Sequence, residues 1–453
     1  MKDMDGRSIM DIKWSEEAGI GCTRKCLYRS DGAHYTMEDG VDEDRVISYR
    51  VNDIHVYAIF DGHDGSKASQ FAAQQFPLEL LLGQLEAPID DEEMRTVIRN
   101  AFHMVEEKFL DGLEDKADSL NLNRSRSSRL GSSSLPDLHA SSFSDSAPTH
   151  LPQHFAGGTT AVMAVYCHGK LFFANCGDSI AVWCQVNADG VLSVHPVSIL
   201  HNIDSEDEAL RLSLLGLDIN LLKRSHALKL TRCVGNYALK KYYRSFDILK
   251  QAVTTPITCD PEIIGGIVIS PETRGFVYLM SSGLHQAWKE CTGSESVETD
   301  IAGLIAVQLS SDKSLHDIAQ TVLEHVCQRH AAAYASGKAA QEYFRRDEMT
   351  LLIRNFGLDG KDVVQSPSPA SDVMDLLNGD APENAQTLRF PSRPNWGSEN
   401  TGSSDDTETD GYANSVGAQR SLDGSILVEY VDPYVDFSEL NSLDTDFECS
   451  DSD

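Results

Sequence analysis

The sequence predicts an α+β fold in which long helices cover two packed antiparallel sheets. Three observations predict it. An apolar run, Val56-Tyr57-Ala58-Ile59-Phe60, stops abruptly at Asp61 and reads as a buried strand ending in a turn. Met94, Val97, Ile98, Ala101, Phe102, Val105 and Phe109 recur at helical spacing and form one apolar face. Between Gly157 and Trp183, β-rich runs joined by short glycine-containing turns read as an antiparallel meander. Strands and long helices interleaved in this way form layers.

In chain order, residues 1–50 are mixed, with one informative patch, His34-Tyr35-Thr36-Met37-Glu38-Asp39-Gly40. After the strand that ends at Asp61 come helices expected over about 66–85 and 91–113. Residues 118–154 are serine-rich with few large apolar side chains. Such a stretch cannot offset its ordering entropy and is expected to be a disordered insertion. The 157–183 strands follow, then a helix over about 205–215 and a strand at Phe276–Met280 that leads through Ser281-Ser282-Gly283 into another helix. A helix from His316 to about Tyr334 and a strand at Met349–Ile353 close a folded domain expected to span 1–358. Residues 359–424 read as a disordered acidic linker.

Charge narrows the function. The chain of 453 residues carries a net charge of −32, and residues 359–453 alone hold 21 acidic and 4 basic side chains. That balance repels nucleic acid and anionic membranes, so neither is expected as a partner. No stretch approaches the roughly 18 apolar residues of a membrane span. Cys22 and Cys26 are the only closely spaced pair of cysteines and complete no zinc pattern. Reduced thiols in a cytoplasmic protein are the expectation.

Five motifs carry chemistry. They are Met37-Glu38-Asp39, Phe60-Asp61-Gly62-His63-Asp64-Gly65, Gly158-Thr159-Thr160-Ala161, Asn175-Cys176-Gly177-Asp178-Ser179 and Asp347-Glu348-Met349-Thr350. In this order they resemble the metal-dependent type 2C (PPM) protein Ser/Thr phosphatases over about residues 30–355. The resemblance implies a β-sandwich of two antiparallel sheets flanked by helices, in α-β-β-α layers. It also implies two Mg2+ or Mn2+ ions bridged by a water or hydroxide that attacks phosphorus in line. By motif position Asp61 bridges the ions, Glu38 and the Gly62 carbonyl serve one, and Asp347 serves the other. His63 is the general acid for the leaving alcohol, and Asp178 marks a possible third metal position.

Departures from the pattern alter that expectation. Ser282 stands where the family places an aspartate, and Gln286 where a second acid follows one helical turn later. His34 replaces a phosphate-gripping arginine, whose bidentate fork it lacks. Leu200 replaces the acid before His201. The dinuclear pair is therefore not expected; one Mg2+ or Mn2+ is the most the remaining acids imply, with His63 a remnant.

Within the family, Leu80–Leu85, Glu206–Leu217, Met349–Gly357 and Pro433-Tyr434-Val435-Asp436-Phe437 are similar to the pseudophosphatase branch that binds the TGF-β-activated MAP kinase kinase kinase. The tail segment 425–453 is expected to hold a short kinase-docking helix at about 433–443. Asp432 followed by Pro433 is a favourable helix start. Tyr434, Phe437 and Leu440 then share a face, with Val435 beside them, suited to a partner's groove. The resemblance implies an adaptor that binds and activates that kinase in stress and inflammatory signalling. It further implies a stress-activated MAP kinase and an inhibitor-of-apoptosis protein as partners. The alternative is a Mn2+- or Mg2+-dependent protein Ser/Thr phosphatase of low activity.

Overall fold

The computed structural model describes residues 13–14, 17–28, 34–36, 42–51, 53–81, 90–127, 157–188, 190–225, 228–311, 313–336 and 345–358. The chain opens with strands β1 (Lys13–Trp14), β2 (Ala18–Thr23), β3 (Cys26–Tyr28), β4 (His34–Thr36), β5 (Arg45–Val51), β6 (Ile54–Phe60) and β7 (Gly62–His63). Helices α1 (Lys67–Leu81) and α2 (Asp91–Ser127) follow. Then come β8 (Gly158–Thr159), β9 (Ala161–Cys167), β10 (Lys170–Cys176), β11 (Ile180–Val186) and β12 (Leu192–Pro196). A mostly helical segment holds α3 (Glu206–Leu214), α4 (Ile219–Ser225), β13 (Val234–Gly235) and α5 (Tyr237–Lys241). Last are β14 (Glu262–Val268), β15 (Gly275–Met280), α6 (Ser282–Thr292), α7 (Val297–Leu309), α8 (Leu315–Ala335), β16 (Arg345–Arg346) and β17 (Met349–Phe356).

Two antiparallel sheets pack face to face, in the strand orders β1-β5-β6-β9-β10-β14 and β12-β11-β15-β17-β2. Both faces of the first sheet are covered, which explains why β6 and β9 read as continuous apolar runs. Val56, Ala58 and Phe60 of β6 turn toward α1 and α2, where Phe60, Phe76 and Phe102 pack ring against ring in series. Tyr57 and Ile59 turn inward against Trp183, Val277, Leu279 and Leu352 of the other sheet. Trp288, Ile305 and Val322, from α6, α7 and α8, are buried on the outer side of that second sheet. The result is the layered α-β-β-α sandwich the sequence implies.

Some expectations are corrected. The runs at 161–183 do not form one meander: β9 pairs β10, but β11 leaves for the second sheet and pairs β12 and β15. The crossing is made at Gly177, whose φ of 125° lies in a region that L side chains rarely adopt. The strand expected from Gly157 is broken at Thr160, whose N–H donates 2.9 Å to the Asp61 carbonyl. Helix α2 runs to Ser127, so residues 118–127 are helical where disorder was expected. Ala117, Leu120 and Leu122 favour helix, and no Gly or Pro intervenes before Gly131. Residues 128–154 lie outside the described residues. So do the linker from 359 and the tail helix. The described cysteines are free thiols.

The helical segment has its own small core around Leu212, Leu222 and Leu249. Glu208 on α3 is buried there, bonded by Arg211 at 2.8 Å and Arg232 at 2.7 Å. Burial pushes its carboxyl up, but the two guanidinium groups outweigh this and hold it at about 2. A pKa depressed on folding lends stability that is full above the unfolded value of about 4.3 and is lost as pH falls toward 2. The contribution is on the order of 3 kcal/mol. Glu208→Gln should lower stability at neutral pH and flatten the limb between about pH 2 and 4.5 in urea unfolding; an unchanged acid limb would contradict it.

Candidate functional site

The site forms where β6 ends, at the mouth between the sheets. Asp61 follows the last residue of a wholly buried strand, and β7 then swings aside to pair with β8. Its carboxylate faces the start of α6, whose first amides have no partner within the helix. Oδ2 of Asp61 accepts the Ser282 N–H at 2.9 Å and the Ser282 hydroxyl at 2.6 Å. Asp61 thus caps a helix from another part of the chain. Burial raises its pKa, the Ser282 bonds draw it back, and the charge of Asp347 raises it again.

Further acids surround this point. Asp347, half exposed, has its Oδ1 bonded by the Glu348 N–H at 3.0 Å. Both oxygens of Glu348 accept the Glu43 N–H at 3.0 Å. Burial pushes Glu348 up to about 7 against the pull of Lys25 and the Glu43 and Asp44 amides. Glu43 in turn accepts the Gly65 N–H at 2.7 Å, tying down the turn after His63. Asp44 accepts the Thr350 hydroxyl at 2.6 Å through Oδ2, while its Oδ1 is buried without a partner. Burial, then the Asp61 and Glu348 charges, push its pKa well up. Asp178 is pushed to about 7 by burial and by Asp61. His201, through Nδ1, accepts the Gly177 N–H at 3.1 Å and so fixes the loop carrying Asp178.

His63 adjoins this cluster. Its Nε2 lies 3.2 Å from the Asn236 Oδ1, which only accepts, so this bond forms when Nε2 carries a proton. Burial holds its pKa below the usual value. Asn236 takes a left-handed φ of 56°, which asparagine tolerates, and its amide donates 3.1 Å to the Cys233 sulfur.

Residues 27–333 match the family model described as Protein phosphatase 2C. The chain belongs to the protein phosphatase 2C family. It is 25% identical over 344 residues to the Caenorhabditis elegans protein named TGF-beta-activated kinase 1 and MAP3K7-binding protein 1, covering 74% of this chain and 80% of that one. It is 27% identical over 233 residues to Protein phosphatase 2C 37 of Arabidopsis thaliana, 51% of each chain. The matched stretch thus spans about half of the plant relative. A serine-threonine phosphatase 2C structure from Toxoplasma gondii superposes with a TM-score of 0.47 at 14% identity, over 75% of this chain and 94% of that one.

Protein phosphatase 2C enzymes depend on Mg2+ or Mn2+, and the described oxygen donors gathered where such ions would sit are those of Asp61, Asp178, Asp347 and Ser282. Ser282 points two hydrogens at Oδ2 of Asp61, the carboxylate that would hold such ions. Gln286 is exposed and donates 2.7 Å along the helix to Glu290, away from the cluster. Among the described residues no group of three or more His, Cys, Asp or Glu is arranged to hold a metal ion. Of the residues singled out in the sequence, the structure brings Asp61, Asp178, Asp347 and Ser282 together, with His63 and Gly62 adjacent. Glu38, Tyr434, Val435, Phe437 and Leu440 lie outside the described residues.

Sequence reasoning gave no role to Lys25, Glu43, Asp44, Glu348 or Asn236. For two of them a signal existed. The chain holds two Glu-Asp pairs in this region, at 38–39 and 43–44, and only the second leads directly into an alternating strand, β5, that neighbours β6.

Proposed function

We propose that this protein phosphatase 2C family chain is a pseudophosphatase adaptor, binding and activating the TGF-β-activated MAP kinase kinase kinase in the cytoplasm rather than hydrolysing phosphoesters. The observation that carries the reading is the pairing of Asp61 with Ser282. A hydroxyl and an amide donor face the carboxylate that hydrolysis needs as a metal bridge. Any Mg2+ or Mn2+ that enters does so singly and weakly, through Glu38 and Asp61, and a lone ion does not supply the two-ion clamp on attacking and leaving oxygens. The name of the C. elegans relative, which matches over most of both chains, supports the choice of partner.

The tail segment 433–443 supplies the contact. An activator must bind the active kinase conformation more tightly than the inactive one, since only that difference shifts the equilibrium. Phe437 is the buried anchor, with Tyr434 and Leu440 beside it. Burial of such a side chain contributes about 1.5–3 kcal/mol, so Phe437→Ala should weaken kinase binding roughly 10- to 100-fold. Unfolding of the domain should be unaffected. Titration calorimetry with the kinase domain measures the first and thermal unfolding the second; equal affinity for wild type and variant removes the docking role. Phosphopeptide turnover in Mn2+ that Asp61→Ala abolishes would instead establish the low-activity phosphatase.

A further inference from the structure

Lys25 sits in the two-residue link between β2 and β3, and sequence gives it no role. In the fold its ammonium points into the acid cluster. Nζ bonds the Glu43 carboxylate and lies 3.3 Å from Asp347 and 3.8 Å from Glu348. The three acids come from two distant segments, one ahead of β5 and one ahead of β17. This is not an ordinary surface pair, because Glu348 is only 6% exposed and the Glu43 amide bonds it as well. Burial works against the charge on Lys25, yet the Glu43 bond and the charges of Asp347, Glu43 and Glu348 raise its pKa overall.

We propose that Lys25 is the resident cation of this cluster: its ammonium occupies the space between Glu43, Asp347 and Glu348 and keeps divalent metal out of it. An ammonium donates hydrogen bonds and has no open coordination position. It can therefore neutralise the acids without coordinating a water and lowering its pKa as a metal ion does. The crowded carboxylates of a metal-dependent architecture are in this way kept folded with no ion to bridge them. The inference goes beyond the adaptor reading and holds whichever partner the chain binds.

The test uses the full chain and MnCl2 as the probe, with bound metal read from the loss of the free Mn2+ electron paramagnetic resonance signal and stability from thermal unfolding. In the wild type, about 1 mM Mn2+ should move the unfolding temperature by less than about 1 °C. Lys25→Met should bind Mn2+ at least about 10-fold more tightly and gain several degrees from it. Lys25→Arg, which keeps the charge, should behave as the wild type. A Lys25→Met chain that folds only with Mn2+ supports the proposal equally. Wild-type protein that binds Mn2+ as tightly as Lys25→Met overturns it. So does a folded Lys25→Met protein as indifferent to Mn2+ as the wild type. Should Lys25→Met fail to fold in either condition, the wild-type titration decides: stabilisation by several degrees overturns the proposal, and indifference shared with a folded Lys25→Arg supports it. Kinase binding enters none of these readouts, so failure here is distinct from failure of the adaptor reading.

Discussion

Glu106→Ala should destabilise the folded domain by about 3–5 kcal/mol, the range for breaking a buried ion pair by removing one partner. Glu106 on α2 is buried, as is its partner Lys240 on α5, whose ammonium bonds its carboxylate. Burial alone would lower the pKa of Lys240, but the Glu106 charge raises it, so the lysine stays charged in the interior. The lysine also donates to the Cys233 carbonyl at 2.7 Å, an acceptor that carries no charge to replace the glutamate's. Glu106 further accepts the Gly235 N–H at 2.7 Å, which alanine would orphan. Gly235 precedes Asn236, so the loss also loosens the group that orients His63. Urea unfolding should show a lower midpoint at unchanged slope. Glu106→Leu combined with Lys240→Met should recover most of the loss, since no charge is then stranded. A loss under about 1 kcal/mol for Glu106→Ala would show that water or another acid reaches Lys240.

Glu106 also shows where sequence reading stops. Its helix was legible because Phe102, Val105 and Phe109 repeat with helical period, and a glutamate beside them looks like part of the solvated face. Only the approach of α5, far along the chain, buries it. The same holds at the site. Asp61 was legible because a carboxylate ending an apolar strand is conspicuous, and Ser282 only through the family resemblance, which places an aspartate there. Lys25 was not, since a lone lysine near a strand end has no periodic or motif signal and acquires meaning only when Glu43, Asp347 and Glu348 converge on it. Glu43-Asp44 was readable in principle, through its position at the mouth of β5. The Met37-Glu38-Asp39 motif drew the assignment five residues upstream. The crossing of β11 was hidden for a different reason: short turns at Gly169 and Gly177 look alike in sequence, but one closes a hairpin and the other changes sheets.

Gly283→Ala should be the most damaging single methyl group that can be added at the site. Glycine in a helix is about 1 kcal/mol worse than alanine on propensity alone, so its presence at the second position of α6 needs another cause. A Cβ there would lie 2.0 Å from the Glu348 carbonyl oxygen. That oxygen belongs to backbone and cannot rotate away, so the helix start or the 347–348 segment must retreat by roughly an ångström or more. Retreat of the helix start stretches the Ser282 bonds to Asp61, now 2.9 and 2.6 Å, past useful length. Overpacking costs about 1–3 kcal/mol, and a buried carboxylate left unsatisfied about 1–3 more. The expected total is about 2–6 kcal/mol, measured by chemical unfolding. Ser282→Ala removes only the hydroxyl and should cost about 1–2 kcal/mol. The double variant should then lose less than the sum, because the methyl group has already broken the bond that the second change deletes. Strict additivity would mean that α6 absorbs the methyl group without moving Ser282, and that the close packing at Gly283 and the capping by Asp61 are independent.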